Sequence, residues 1–432
     1  MKLKEVLREK IEKRRKEIKE ILEKYKDKVV SQVTVEQIFR GMRGVKCMIW
    51  EGSYVDPIKG IFYRGYTLTE LREKLPKIKE EPLPEGLFYL LLTGEIPTME
   101  DVKEIQKEIN KRMELPENVI KVIKAMPKTS HPMALFSMGI LSLRDLSKFA
   151  KLYDEGKLTK EGYWEATLDD SIELIAKLPP LAGYIYRRLY KDGKMKEPDK
   201  KLDLSANLAH MMGYDNEEVY ELLRLYLFLH ADHEGGNVSA HTGHLVASAL
   251  SDVFYSFSAA MNGLAGPLHG RANMDTMAWL LKMKKKYKGK IGEKEVEEFA
   301  RETLAKGEVI PGFGHAVLRD VDPRYLAFRD FALKYTPDDE IFKIVDIVYK
   351  VVPNILKETG KVANPYPNVD AHSGCLLYHY GITEFPFYTV FFGISRAFGI
   401  LAQIVWDRAL GFAIERPKSI TLEWLKENIE KI

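Results

Sequence analysis

The sequence predicts a mainly α-helical protein, in which a large multi-helix domain with buried central helices and a smaller helical domain enclose a cleft. Apolar residues recur at helical spacing along most of the chain, and no run of alternating strands follows residue 68. Two long apolar stretches, 238–260 and 387–406, carry too little charge for a surface helix. At 432 residues the chain exceeds one ordinary core, so two domains are expected.

The first 70 residues are predicted to contain helices and one short hairpin. A long amphipathic first helix is indicated by apolar residues at helical spacing, namely Leu3, Leu7, Ile11, Ile18, Leu22 and Tyr25. Residues 29–34 form a weak strand candidate. Thr34 followed by Gln37 matches the capping box that begins a helix. The turn-rich stretch 52–68 predicts a small hairpin.

Helices account for most of the remaining chain. One opens at Pro84 and closes at Gly94, and Thr98 caps the next. Further helices are predicted at about 117–125, 132–147, 160–177, 181–191, 204–212, 216–230, 275–287, 293–306 and 337–358. This order has no βαβ rhythm and no internal repeat.

The domain boundaries are predicted from a change in composition. After Asn273 charged amphipathic helices replace the apolar ones, and core composition returns at about Ile382. We therefore expect a large domain formed by residues 1–273 and 382–432, and a small domain formed by residues 274–381.

The two long apolar stretches are both interpreted as buried core helices. Residues 238–260 are predicted to form one central helix whose Gly-rich ends hold histidines. Residues 387–406 have the length of a membrane span, but Arg396 lies at their centre, where a lipid-facing cation is costly. We expect a core helix that carries one functional charge, and no membrane.

Composition narrows the class of protein. The net charge of +3 gives no reason to expect a nucleic-acid partner. Two cysteines form no disulfide framework, and the N-terminus lacks an apolar signal region. A cytoplasmic protein is expected, with a processed organellar protein as the alternative. The 30% of charged residues weakly favours a heat-adapted, thermophile source.

Three polar, Gly- and Pro-rich segments contain candidate catalytic residues. They carry His269, His315 and Asp370 at the boundaries between the two predicted domains. Two imidazoles and one carboxylate on loops form an acid/base set. Two other readings compete: a zinc site at the histidine pairs 230/233 and 241/244, and a non-enzymatic helical scaffold. No HExxH or phosphate-binding loop is present, and His372 with Cys375 has no further support as a nucleophile pair.

The chain resembles citrate synthases of the longer type found in eukaryotes and some bacteria. The motifs that carry the resemblance are LHADHEGGNVSAHT, AMNGLAGPLHG, PGFGHAVLRDVDPRY and NPYPNVDAHSG, in this order. The resemblance extends from residue 31 to residue 419. It implies the condensation of acetyl-CoA with oxaloacetate to citrate, by a homodimer and without a metal or cofactor. The alternative is a 2-methylcitrate synthase that uses propionyl-CoA.

The resemblance also implies individual residue roles. Asp370 would be the general base, His269 the hydrogen-bond donor to the thioester oxygen, and His315 the group that polarises the oxaloacetate ketone. Oxaloacetate would be bound by His233, Arg324, Arg396 and, from the partner subunit, Arg416. CoA would be bound by Arg43, Pro311, Gly312, Phe313, Gly314, Ala316 and Lys361. Closure of the small domain over bound oxaloacetate is expected to complete the site.

Overall fold

The computed structural model describes residues 1–315, 317–360 and 362–431. With 62% helix and 3% strand, it confirms the predicted fold class. The α-helices of the first half are α1 (Lys2–Tyr25), α2 (Val35–Phe39), α3 (Leu68–Lys74), α4 (Pro84–Thr93), α5 (Met99–Asn110), α6 (Glu117–Ala125), α7 (Pro132–Leu141), α8 (Lys148–Asp154), α9 (Tyr163–Tyr190) and α10 (Leu204–Met212). Those of the second half are α11 (Glu217–Leu229), α12 (Val238–Ser248), α13 (Val253–Leu264), α14 (Ala272–Lys286), α15 (Glu293–Ala305), α16 (Pro323–Tyr335), α17 (Glu340–Thr359), α18 (Ser373–His379), α19 (Tyr388–Leu410) and α20 (Leu422–Asn428).

The hairpin predicted at 52–68 is one part of a small antiparallel sheet. Strands β1 (Ser53–Asp56), β2 (Gly60–Tyr63) and β3 (Tyr66–Thr67) are paired in this order. The prediction of a strand at 29–34 is wrong, because this stretch has no regular structure and is mostly exposed. The capping box of Thr34 and Gln37 is confirmed at the start of α2.

The prediction of a single central helix at 238–260 is wrong, because this stretch forms two helices, α12 and α13. The chain breaks between α12 and α13, where Leu250 has a φ of 64°. The side chain of Asp252 then accepts hydrogen bonds from the backbone N–H groups of Phe254 and Tyr255 and caps α13. The apolar run is also not wholly buried, since Leu245 and Tyr255 are exposed.

Helix α9 is one helix, although two helices were predicted for this stretch, at 160–177 and 181–191. It continues through Pro179 and Pro180, both of which are buried. The helix packs against α7, α10 and α19. Burial on several sides therefore outweighs the hydrogen bonds that the two prolines remove.

Helix α19 is the core element that positions the site. It packs against α4, α9, α11, α12 and α13, and nearly all of its residues are buried. By length and composition alone, Phe385–Leu410 could cross a membrane, but 94% of that apolar window is buried inside the protein. At Gly399 a Cβ would lie 2.4 Å from Oδ1 of Asp232, so the loop after α11 lies directly against α19.

The helices between α14 and α18 pack largely against one another. Helix α15 contacts α17, and α14, α16 and α17 each contact α18. Helix α16 was not predicted from the sequence. The proposed division into residues 1–273 with 382–432 and residues 274–381 stays a prediction.

Candidate active site

Histidine-bearing loops and the middle of α19 meet at one site. The rings of His233, after α11, and His315, before α16, lie with their centroids 5.4 Å apart. Phe392 of α19 faces His269, with ring centroids 6.2 Å apart. The guanidinium of Arg396 lies 4.7 Å from the centre of the same Phe392 ring. Loops that are far apart in the sequence thus converge on one turn of a buried helix.

Arg396 is a buried cation held by neutral acceptors. It is only 1% exposed. Its Nε donates to the carbonyl of His230 at 3.1 Å, and its Nη1 donates to Oδ1 of Asn237 at 3.2 Å. Burial lowers the pKa of Arg396 to about 10, although the carboxyl of Asp232 opposes the shift. The side chain is therefore charged at neutral pH without a directly bonded carboxylate among the described residues.

Arg324, at the start of α16, has a carboxylate partner. Its Nε and Nη2 donate to the two oxygens of Asp322 over 3.0 and 2.7 Å. Asp322 also caps α16 and accepts a hydrogen bond from the backbone N–H of Val369 at 3.2 Å. Burial would raise the pKa of Asp322, but the charge of Arg324 outweighs it and holds that pKa below its ordinary value. Asp322 thus links α16 to the loop that carries Asp370.

Asp370 lies in a short 3-10 helix, Val369–Ala371. Its backbone N–H donates to Oδ1 of Asn368 at 3.0 Å. Burial raises the pKa of Asp370 to about 6, against the lowering effect of Arg324 and Arg396. At neutral pH the group is ionised, yet it is a stronger base than an ordinary aspartate.

His269 is a neutral imidazole with one nitrogen free to donate. The backbone N–H of Ser239 donates to Nε2 of His269 at 3.3 Å, and Oγ of Ser239 lies 2.9 Å from the same atom. Because a backbone N–H only donates, Nε2 accepts, and the proton is assigned to Nδ1. Burial, followed by the charge of Arg396, lowers the pKa of His269 to about 4.

His315 is held in the opposite tautomer. Its Nδ1 accepts from the backbone N–H groups of Val317 and Leu318, both at 3.0 Å, so its proton is on Nε2. Burial and Arg324 lower the pKa of His315 to about 4. Burial and the two arginines lower the pKa of His233 well below its ordinary value as well. The site thus combines neutral imidazole donors, two guanidinium cations and one weakly acidic carboxyl.

The 311–315 loop and the 364–368 loop are hydrogen-bonded to each other. The N–H of Asn368 donates to the carbonyl of Gly312 at 2.9 Å, and the N–H of Gly314 donates to the carbonyl of Tyr366 at 3.2 Å. Gly312 has a φ of +78°, and a Cβ there would lie 2.8 Å from the Cα of Ala371. Only glycine fits this close approach, which holds the two loops together.

A family model described as "Citrate synthase, C-terminal domain" matches residues 41–418. The chain belongs to the citrate synthase family. "Citrate synthase, mitochondrial" from Daucus carota is 50% identical over 431 residues, 99% of this chain and 91% of that protein. The protein of the same name from Saccharomyces cerevisiae is 50% identical over 432 residues, 100% of this chain and 90% of that protein.

Solved citrate synthase structures share the fold. The crystal structure from Pyrobaculum aerophilum matches with a TM-score of 0.77 and 26% identity over 91% of this chain and 95% of that chain. The family predicted from the four motifs is confirmed. Citrate synthases are transferases, so the predicted enzyme class is confirmed too. The 2-methylcitrate alternative is not favoured.

The remaining predicted binding residues lie on the surface, in the 311–315 loop or outside the described residues. Arg416 is exposed in the irregular segment after α19, and Arg43 is exposed in the turn after α2. Pro311, Gly312, Phe313 and Gly314 all lie in the loop paired with 364–368. Ala316 and Lys361, both predicted to bind CoA, lie outside the described residues.

The zinc site and the Cys375 nucleophile, two alternative hypotheses from the sequence, can be compared with the structure. Among the described residues, no group of three or more His, Cys, Asp or Glu is arranged to hold a metal ion. Cys375 is buried, and burial raises the pKa of its thiol. Burial also lowers the pKa of His372 to about 4, so these two groups do not form an activated nucleophile pair.

Sequence reasoning missed three polar residues that support the predicted ones. Asp322 bonds Arg324, Ser239 bonds His269, and Asn237 accepts from Arg396. Asp322 had a detectable signal, because Asp followed by Pro is typical of a helix start. Ser239 is 30 residues from His269 in the sequence, and the pattern contains nothing that pairs them.

Proposed function

We propose that the chain condenses acetyl-CoA with oxaloacetate and hydrolyses the resulting citryl-CoA to citrate and CoA. The observation that carries this proposal is the pair of buried arginines beside Asp370, whose pKa is raised to about 6. Such a site combines binding of a dicarboxylate with removal of a weakly acidic proton.

Oxaloacetate would be bound by His233, Arg324, Arg396 and Arg416 of the partner subunit. Arg396 has no bonded carboxylate among the described residues, and no described residue accepts from Nη1 of Arg324. A dianionic substrate would supply the negative charge that Arg396 lacks, and it could accept a hydrogen bond from the remaining Nη1 of Arg324.

Asp370 would remove a methyl proton from acetyl-CoA while Nδ1–H of His269 donates to the thioester oxygen as it becomes an enolate. The enolate carbon then forms a bond to the ketone carbon of oxaloacetate. His315, with its proton on Nε2, would donate that proton to the new alkoxide. Water then cleaves the thioester of citryl-CoA and releases citrate and the CoA thiol.

CoA would lie against the loop that contains Pro311, Gly312, Phe313 and Gly314, with Arg43 near its phosphates. Because this loop is bonded to the 364–368 loop, CoA would contact a segment already linked to the general base. Ala316 and Lys361 complete the proposed CoA set. Closure of the small domain would exclude water until citryl-CoA has formed.

A homodimer is proposed from exposed apolar residues. Large apolar side chains are exposed near both ends of the chain and on α12, namely Ile21, Leu22, Val29, Val30, Phe39, Ile49, Leu245, Ile414, Leu422 and Trp424. So many exposed apolar side chains are typical of a covered interface. The same dimer would bring Arg416 into the partner's site.

Release of free thiol from acetyl-CoA tests the proposed reaction. We expect release that depends on oxaloacetate and persists in EDTA, because the proposed steps need no metal. Propionyl-CoA is the matched control, and faster release from it would transfer the activity to 2-methylcitrate synthesis. No release from either thioester would contradict the proposal.

The cellular location is proposed separately. We expect a cytoplasmic enzyme, with a processed organellar protein as the alternative. The names of the relatives from Daucus carota and Saccharomyces cerevisiae include "mitochondrial", which supports the alternative. Cell fractionation with an antibody to the chain distinguishes the two.

A further inference from the structure

Two histidines and two carboxylates attach the segment after α19 to the helical core. We call residues 411–421 the C-terminal arm, and His241, His244, Asp407 and Glu415 the arm clamp. Nδ1 of His244 lies 2.6 Å from Oδ2 of Asp407, and its Nε2 lies 2.6 Å from Oε1 of Glu415. Nε2 of His241 lies 3.1 Å from the second oxygen of Glu415.

The clamp is the main attachment of the arm. Between residues 412 and 421 only Phe412 and Glu415 are partly buried, and the rest of this described segment is exposed. The backbone N–H of Glu415 also donates to Oγ of Ser248 on α12 at 3.0 Å. Arg416 directly follows Glu415, so the clamp sets the position from which its side chain extends.

We propose that His244 is a positioning residue that, through Glu415, directs Arg416 toward the oxaloacetate site of the partner subunit. The proposal rests on the proposed dimer and on the proposed role of Arg416. It adds a specific device, since His244 and Glu415 would control substrate affinity in the neighbouring subunit without touching substrate.

The charge of His244 decides how many carboxylates it can bridge. A protonated imidazole donates from both nitrogens, whereas a neutral one donates from only one and leaves Asp407 or Glu415 without its donor. His241 on α12 and Arg408 on α19 also face the cluster. On its other side, Asp407 lines a cavity that also contains the charged groups Arg14, Glu17, Glu51 and Arg64. Arg408 donates to the carbonyl of Ser251.

The pH dependence follows from the same contacts. Burial would lower the pKa of His244, but Asp407 and Glu415 outweigh it and raise that pKa above its ordinary value. A raised histidine pKa means that the bridge is complete below the ordinary histidine pKa, as long as Asp407 and Glu415 are ionised, and is lost as the pH rises through the raised value. The KM for oxaloacetate should therefore rise toward alkaline pH.

Two substitutions of His244 separate its two contacts. In His244→Asn the amide occupies the place of Nδ1 and keeps the contact with Asp407, whereas in His244→Gln it reaches toward Glu415. We expect His244→Asn and Glu415→Gln to raise the KM for oxaloacetate by about tenfold, with kcat and the KM for acetyl-CoA little changed. His244→Gln should raise it less. Glu423→Gln on α20 is the matched control.

The pH profile gives a readout that a purely structural role would not change. The alkaline rise in the KM for oxaloacetate should disappear in Glu415→Gln and stay in Glu423→Gln. Melting temperature and sedimentation confirm that each variant is a folded dimer. An unchanged KM in both His244→Asn and Glu415→Gln, with folded dimers, would overturn the proposal.

Hybrid dimers test whether the effect crosses between subunits. In the first hybrid, one chain carries Glu415→Gln with Asp370→Asn and the other is unaltered. The only competent site then receives the altered arm, so its KM should be raised. In the second hybrid the two substitutions are on different chains, and the competent site should have the ordinary KM. The reverse pattern would place the effect within one chain and overturn the proposal.

Arg416→Leu separates this inference from the function on which it rests. If Arg416→Leu raises the KM for oxaloacetate while Glu415→Gln does not, the role of the arm clamp is wrong and the role of Arg416 stands. If Arg416→Leu has no effect, the proposed cross-subunit arginine is wrong, and the clamp has no substrate contact to position.

Discussion

The two buried arginines of the site are held in different ways. Arg324 lies at a helix start, where Asp322 neutralises it through direct hydrogen bonds. Arg396 lies in the middle of a buried helix and donates to a carbonyl and an amide. The pKa of Arg396 is lowered by burial, whereas that of Arg324 is raised because Asp322 outweighs burial. Of these two arginines, only Arg396 has no bonded carboxylate among the described residues, and it can therefore pair with an anionic ligand.

Asp370 responds to both arginines and shows the largest expected effect. Asp370→Asn should lower kcat by about 100-fold to 10,000-fold, because a general base is lost, while oxaloacetate still binds. In the unaltered enzyme kcat/KM should fall about tenfold per pH unit below the pKa of about 6, since only the ionised carboxylate accepts a proton. Stopped assays between pH 5 and pH 8 measure both, and turnover retained in Asp370→Asn would remove the base assignment.

Removing the carboxylate that pairs with Arg324 should mainly lower the stability of the protein. Asp322→Asn should lower the free energy of unfolding by about 3 kcal/mol, because a buried guanidinium loses its carboxylate. Urea unfolding measures the loss. Asp322→Asn combined with Arg324→Gln should recover part of it, and a fully additive double variant would argue against direct pairing.

Removing the unpaired arginine should affect binding more than folding. Arg396→Leu is expected to weaken oxaloacetate binding by about 2 kcal/mol, roughly 30-fold, while the apolar helix accommodates leucine. Calorimetric titration with oxaloacetate measures the affinity, and Arg301→Leu on the surface of α15 is the control. Unchanged affinity would defeat the assignment of Arg396.

Asp232 should have a smaller effect on oxaloacetate binding, because it interacts with Arg396 only through its charge. Asp232 acts on Arg396 without bonding it, and accepts from Nε1 of Trp50 at 2.6 Å and from Oγ of Ser53 at 2.8 Å. Trp50→Phe removes one donor and should change the KM for oxaloacetate by a few-fold, on the order of 1 kcal/mol or less. A change as large as that of Arg396→Leu would mean that Asp232 is the functional partner of this arginine.

Much of the fold could be predicted because it depends on local pattern. The apolar run around Arg396 predicted a buried helix, and the Thr34 and Gln37 pair predicted a helix start. The break at Leu250 was missed, because the apolar pattern continues across it, although Asp252 is a typical helix-capping residue that could have indicated a new start. The continuation of α9 through Pro179 depends on packing from several sides.

For the site, too, some features could be predicted from the sequence and others could not. The histidines and Asp370 stand in Gly- and Pro-rich motifs that can be read from the sequence. Their protonation states could not be read, because the tautomer of His269 depends on Ser239 and the raised pKa of Asp370 depends on burial. These are properties of distant segments brought together by folding.

The contact of Gly312 with Ala371 limits how the enzyme can be redesigned. The two loops share backbone hydrogen bonds and an approach that excludes a side chain at Gly312. A 311–315 loop taken from a relative would therefore have to pack against a 364–371 segment that fits only the original loop. Altered acyl-group selectivity should require exchanging residues 311–315 and 364–371 as a single cassette, and a library that randomises only one of them would mostly yield inactive proteins.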